Sequence, residues 1–150
     1  MSQRILVPLD GSPLAERALD EALTLAQLPD SKVVLLRVIP WIDEVISDGE
    51  TFSIDQQWEN RAGCARDYLK SICKRPGWQD VNHEVAVEQG DPASVILEFA
   101  ERSAIDRIIL CSHGRTGVSR WVHGSVARKI LEAADRTVVL VRAEVPRAHG

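Results

Sequence analysis

Five short apolar runs, each closed by a turn and separated by stretches of helical periodicity, confine this chain to a narrow set of folds. The runs are Arg4 to Asp10, Val33 to Ile39, Val81 to Val87, Ile105 to Leu110 and Thr137 to Val141. Runs this short, bounded by Gly, Pro and Asp, read as strands. Four of them are largely apolar, as strands buried on both faces are. The third alternates Val81, His83, Val85 and Val87 with polar or small residues. Between the strands lie segments with apolar residues at helical spacing: Pro13 to Ala26, about 55–75, Pro92 to Ala100, and Trp121 to Ala134. The order β-α-β-α-β-α-β-α-β predicts an α/β fold, a doubly wound, mostly parallel five-stranded sheet with helices on both faces. Each crossover is expected to be right-handed.

Local chemistry sets the helix starts. In Asp10-Gly11-Ser12-Pro13, Ser12 suits an N-cap and Pro13 the first helical position. Gly90-Asp91-Pro92 repeats the device, with Asp91 as the cap. Pro29-Asp30 and Pro76-Gly77 stop the first two helices. Residues 41–54 are mixed and acidic and read as a loop or lid. Asp43, Glu44, Asp48 and Glu50 are taken as solvated charges. Residues 143–150 read as a frayed tail. No linker or internal repeat divides residues 1–150, so a single domain is expected.

Several function classes fall away on composition. No apolar run approaches the roughly 20 residues of a membrane helix. The start, Met1-Ser2-Gln3-Arg4, lacks the pattern of a signal peptide, so a cytoplasmic protein without membrane insertion is expected. Cys64, Cys73 and Cys111 form no Cys-x-x-Cys pair, which argues against a disulfide framework or zinc site. A net charge of −4 argues against general nucleic-acid binding. The charge is uneven: residues 1–100 hold 9 Lys/Arg against 17 Asp/Glu, and residues 101–150 hold 9 against 5. The basic C-terminal third suits a phosphate-bearing small molecule, and chance asymmetry of a solvated surface explains it equally well.

The segment Cys111 to Ser125 carries the chemistry. It follows the fourth strand, leads into a helix, and holds Gly114, Gly117 and Gly124 with several hydroxyls. Glycines let backbone N–H groups approach a phosphate, and a helix start offers unpaired N–H groups and the positive end of a dipole. Walker-type and dinucleotide fingerprints are both absent. His113 and His123 lack a supporting carboxylate or third ligand and read as loop or packing residues. Of the two loop arginines, Arg115 rather than Arg120 is favoured as a phosphate ligand. Trp121 is expected to pack a loop, and Trp41 is a weaker candidate for a pocket rim.

Pro8-Leu9-Asp10-Gly11-Ser12 resembles the opening of the universal stress protein family. Ser112-His113-Gly114-Arg115-Thr116-Gly117, followed by Gly124-Ser125-Val126-Ala127, resembles its distal signature. The family's nucleotide-binding branch carries Gly-x₂-Gly-x₉-Gly-Ser/Thr. Gly114, nine intervening residues and Gly124-Ser125 match it, with Cys111 at the first glycine position. The resemblance spans nearly the whole chain. It implies a Rossmann-like sheet of order 3-2-1-4-5 with ATP, or AMP or ADP, at the ends of strands one and four, with Mg on the phosphates. Asp10, after Pro8 and Leu9, and the backbone near Val38 would approach the adenine or ribose. Cys111 would lie near the ribose. Gly114, Gly124, Ser125 and Val126 would cradle the phosphates, with Arg115 close by. A Cys111 side chain turned into the core would cost the site nothing; one turned at the ribose would lower affinity. The family also commonly dimerises through its last strand, here Val138 to Val141.

Three functions fit these residues. The first is an ATP-binding regulatory or stress-response module acting through a homodimer. The second is a slow ATP hydrolase or phosphotransferase, although no dedicated base for an attacking water is visible. The third is a ligand-free, partner-binding dimer, with Cys111 as its support.

Overall fold

The computed structural model describes residues 2–13, 15–41, 54–113 and 125–143. Its elements are β1 (Gln3–Pro8), a 3-10 turn (Ala15–Arg17), α1 (Ala18–Leu25), β2 (Ser31–Ile39) and α2 (Ile54–Cys73). They continue with β3 (His83–Gln89), α3 (Pro92–Arg102), β4 (Arg107–His113), α4 (Ser125–Ala133) and β5 (Thr137–Ala143). The strands form one parallel sheet of order β3-β2-β1-β4-β5. The chain steps twice to one side of β1 and then twice to the other. Right-handed crossovers therefore put α1 and α2 on one face and α3 and α4 on the opposite face.

The central strands are buried on both faces. Ile5, Leu6, Val7, Val33 to Leu36, Ile108 and Ile109 have no exposed surface. Parallel strands covered by helices on both sides need apolar residues at successive positions, which is why these runs do not alternate. The edges differ. Every residue of β3 is half-buried, and in β5 Val138, Val139 and Val141 are half-buried while Leu140 is 43% exposed.

All five strands differ somewhat from their sequence-based bounds, β3 and β4 most instructively. β3 begins at His83 rather than Val81. Val81 is buried, but its N–H donates to the Trp78 carbonyl at 3.2 Å, so it closes the turn after α2. β4 runs on past Leu110 to His113, because β5 stays paired with it through His113–Ala143. The first helix also starts later than its sequence suggests. Ser12 Oγ accepts from the Ala15 N–H at 3.2 Å, so Ser12 caps a 3-10 turn that leads into α1. Of the loop expected at 41–54 and the tail expected at 143–150, Ile54 belongs to α2 and Ala143 to β5; residues 42–53 and 144–150, and the start of the fourth helix at Trp121, lie outside the described residues.

The start of α3 follows its sequence closely. Asp91 Oδ2 accepts from the Ser94 N–H at 3.2 Å and from Ser94 Oγ at 2.8 Å, with Pro92 in the first turn. Before it, Gly90 takes φ +146°, and an added Cβ would meet Val95 Cγ2 at 2.7 Å. Its N–H donates to the Ile39 carbonyl at 3.0 Å, tying the end of β2 to the end of β3. Past the end of α3, Arg136 Nη1 donates to the Ala100 and Ile105 carbonyls, each at 2.7 Å. It thereby joins the strap before β5 to the end of α3. Among the described residues, no helix is long and apolar enough to cross a membrane.

The Asp91 cap gives a pH-dependent prediction. Hydrogen bonds from Ser94 hold the Asp91 carboxyl below its ordinary value of 3.8. A carboxylate stabilised in the folded state contributes fully above its unfolded pKa and loses that contribution as pH falls through the folded one. Asp91→Ala should cost about 1 kcal/mol at neutral pH. In urea unfolding followed across pH, the gap between the two proteins should shrink in the acid range below 3.8.

Candidate functional site

The sheet opens where its winding reverses. β1 pairs with β4 at Ile5–Arg107 and Leu6–Ile108, and that ladder stops there. On its other side β1 stays paired with β2 through Pro8–Leu36, and the Leu9 N–H adds a bond to the Leu36 carbonyl at 2.8 Å. The carboxyl ends of β1 and β4 therefore part while β1 remains fixed to β2. A crevice at this reversal is where doubly wound sheets bind ligands.

One wall of the crevice is the turn after β1. The Ser12 N–H donates to Asp10 Oδ1 at 2.8 Å, and Gly11 adopts φ +87°, a conformation that side chains with a Cβ rarely take. Asp10 is half-buried there. Pro8, Leu9 and Val38 are buried, Leu9 and Val38 with no exposed surface. The opposite wall is the end of β4. Cys111 is 5% exposed and packs within the main hydrophobic core.

α4 begins at Ser125, which is exposed, and is anchored by Val126, Ala127 and Ile130 in the core. Gly114, Arg115 and Gly124 lie outside the described residues, as do Arg120, Trp121 and His123. The described part of the sequence-predicted site is thus half-buried Asp10 with buried Pro8, Leu9 and Val38 on one side, and Cys111, Ser125 and Val126 on the other. Trp41, just past β2, is 66% exposed.

A cleft of about 510 Å³ lies beside the crevice, on the α2 side of the sheet. Arg37, Ile39 and Pro40 form one wall, with Gly11 at its edge. Arg61, Cys64, Ala65 and Tyr68 of α2 form the other. None of these is a sequence-predicted site residue. Arg37 is a guanidinium within an otherwise apolar stretch, Val33 to Ile39, and this was the available signal. Its Nη1 donates to the Val38 carbonyl at 3.0 Å. Burial lowers its pKa, Asp10 and Tyr68 oppose that effect, and the like charge of Arg61 adds to it.

The α2 wall is fixed by a polar link to the start of the first helix. Tyr68 Oη donates to Glu16 Oε2 at 2.7 Å, and Arg75 Nη1 pairs with Glu16 Oε1 at 2.7 Å. Burial, and then the bond to Glu16, push the Tyr68 hydroxyl well above its ordinary value. It stays a neutral donor. Among the described residues, no group of three or more His, Cys, Asp or Glu side chains could hold a metal ion.

Comparison with known proteins gives a consistent likeness. A model of the universal stress protein family matches residues 1–142. Universal stress protein MJ0531 of Methanocaldococcus jannaschii is 27% identical over 144 residues, covering 93% of this chain and 82% of that protein. A universal stress protein of Mycolicibacterium smegmatis is 32% identical over 142 residues, covering 92% of this chain; the chain spans 45% of that protein. Among solved structures, universal stress protein UspA from Lactobacillus plantarum superposes with a TM-score of 0.72 at 23% identity, covering 93% of this chain and 97% of that one. A family protein from Arabidopsis thaliana, solved with AMP bound, has a TM-score of 0.62 at 17% identity over 99% and 97% of the two chains. A universal stress protein in complex with cAMP has a TM-score of 0.62 at 18% identity over 95% and 98%.

Cys111 provides a test of the crevice wall. With its side chain in the core, Cys111→Gly removes buried packing and loosens a strand, which should cost about 2 kcal/mol. It should not strengthen nucleotide binding. Chemical unfolding measures the first effect and titration calorimetry with ATP the second. A gain of affinity in the variant would show that the thiol faces the ligand.

Proposed function

This chain belongs to the universal stress protein family, and from that premise we propose that it is a cytoplasmic regulatory module that binds ATP and acts as a homodimer. The observation that carries the nucleotide reading is the parting of β1 and β4 at their carboxyl ends, with Asp10 on one wall and the start of α4 on the other. The base and ribose take the Asp10 side, where a half-buried carboxylate can accept from an amino or hydroxyl group. The backbones after β1 and near Val38 line that side. The phosphates take the α4 side. Gly114, Gly124, Ser125 and Val126 form the cradle, Arg115 adds a charge, and Mg rides on the phosphate oxygens. AMP and ADP fit the same crevice with fewer contacts. The AMP and cAMP bound by the two structural neighbours support an adenine nucleotide as the ligand class.

The dimer reading is supported by the outer edge of β5. Among the described residues, β5 pairs with β4 and with no other strand. Its backbone groups on the far side are available to a second chain, and an unprotected edge strand invites pairing. Val138 to Val141 supplies apolar side chains there, with Leu140 43% exposed.

Two experiments test these readings. Gly124→Val places a branched side chain where the phosphates approach the backbone. It should weaken ATP binding in calorimetry at least about tenfold, the effect of losing one good hydrogen bond to a charged group. Equal affinity in wild type and variant would remove the proposed site. Leu140→Lys puts a charge on the β5 edge and should shift the protein from dimer to monomer in sedimentation velocity. An unchanged dimer would place the interface elsewhere.

A further inference from the structure

The cleft between β2 and α2 contains the chemistry of a second binding site. It lies beside the nucleotide crevice and shares Gly11 with its edge, but its walls are Arg37, Ile39 and Pro40 on the sheet and residues of α2 opposite them. Its volume of about 510 Å³ falls inside the usual range for small-molecule sites, about 300–1,000 Å³.

Its walls are unlike in a useful way. Ile39, Pro40, Ala65 and the ring of Tyr68 offer apolar surface. Arg37 and Arg61 bring two guanidiniums to the same space, one from the sheet and one from the helix. Like charges facing a shared cleft repel each other, and Arg61 acts on Arg37 in that sense, though less strongly than the opposite charge of Asp10. Among the described residues, no salt bridge joins either arginine to a carboxylate. An anion between them would relieve the repulsion and satisfy donors from both. The planar fork of a guanidinium matches the two oxygens of a carboxylate or phosphate. Asn60 at the same wall adds an amide that can donate to the ligand.

We propose that this cleft binds a small amphiphilic oxyanion, a compact apolar body carrying one phosphate or carboxylate, with Arg37 and Arg61 clamping the oxygens. The apolar body lies against Ile39, Pro40 and Tyr68. The Tyr68–Glu16–Arg75 link keeps the helix wall in place, so the clamp is formed before the ligand arrives. Preorganisation of this kind reduces the cost of binding. The site does not depend on the nucleotide reading.

Cys64 is exposed and lines the cleft, so its accessibility reports occupancy. The neutral reagent iodoacetamide is applied to the full chain, and modification of each cysteine is followed by peptide mass spectrometry. Phenyl phosphate and benzoate serve as probes of the two oxyanion classes, with phenol as the neutral control. At least one anion should slow Cys64 alkylation while phenol does not, and whichever protects identifies the preferred group. Arg61 is exposed, so Arg61→Gln should fold normally, and buried Cys111 should stay unreactive in it as a check. Protection in Arg61→Gln should require about tenfold more anion, the scale of one lost charge-assisted hydrogen bond. Absence of protection by both anions, equal protection by phenol, or undiminished protection in Arg61→Gln would overturn the proposal.

Discussion

The structure depends on β1 staying bonded to β2 while it lets go of β4. The bond from the Leu9 N–H to the Leu36 carbonyl carries the β1–β2 pairing past Pro8. The β1–β4 ladder ends at Leu6–Ile108. This asymmetry follows from the winding. The first two crossovers carry the chain to one side of β1, and the next two carry it to the other side. The connections leaving β1 and β4 consequently go to opposite faces of the sheet. A gap at such a reversal is where doubly wound sheets form a crevice.

Around that gap, polar groups appear where the core ends. Asp10 is tied to Ser12, and Ser12 in turn caps the turn that leads to α1. Short local bonds of this kind hold a carboxylate at a fixed place with little side-chain freedom to lose on binding. Cys111 lies on the other strand but has joined the core.

The α2 face follows a different logic. Arg37 sits on a strand buried on both faces, and burial works against its charge. It is tolerated because Nη1 reaches the Val38 carbonyl and the rest of the group opens into the cleft. Tyr68 and Arg75 meet Glu16 from across the chain, which pins α2 above that cleft. The same contacts that stabilise the helix therefore shape the space beneath it. Leu140 on the opposite edge of the sheet shows the complementary case, an apolar side chain left at the surface where the sheet has no further strand to cover it.

The sequence alone determined the element order, the buried central strands and the caps at Ser12 and Asp91, because these rest on periodicity and on bonds between residues a few positions apart. The strand order was reached through the Asp10-Gly11-Ser12 and Gly124-Ser125 motifs rather than through periodicity. The bounds of β3 and β4 were misjudged where hydrogen bonding outweighed apolar pattern: Val81 turned into a loop contact, and Cys111 to His113 were drawn into the sheet by β5. Only the tertiary structure decided where β1 and β4 part, that Cys111 is buried, and that Arg37 and Arg61 share one cleft. Each of these depends on residues far apart in the chain meeting across the sheet or between sheet and helix. Such meetings are set by packing, and the local sequence around each residue does not encode them.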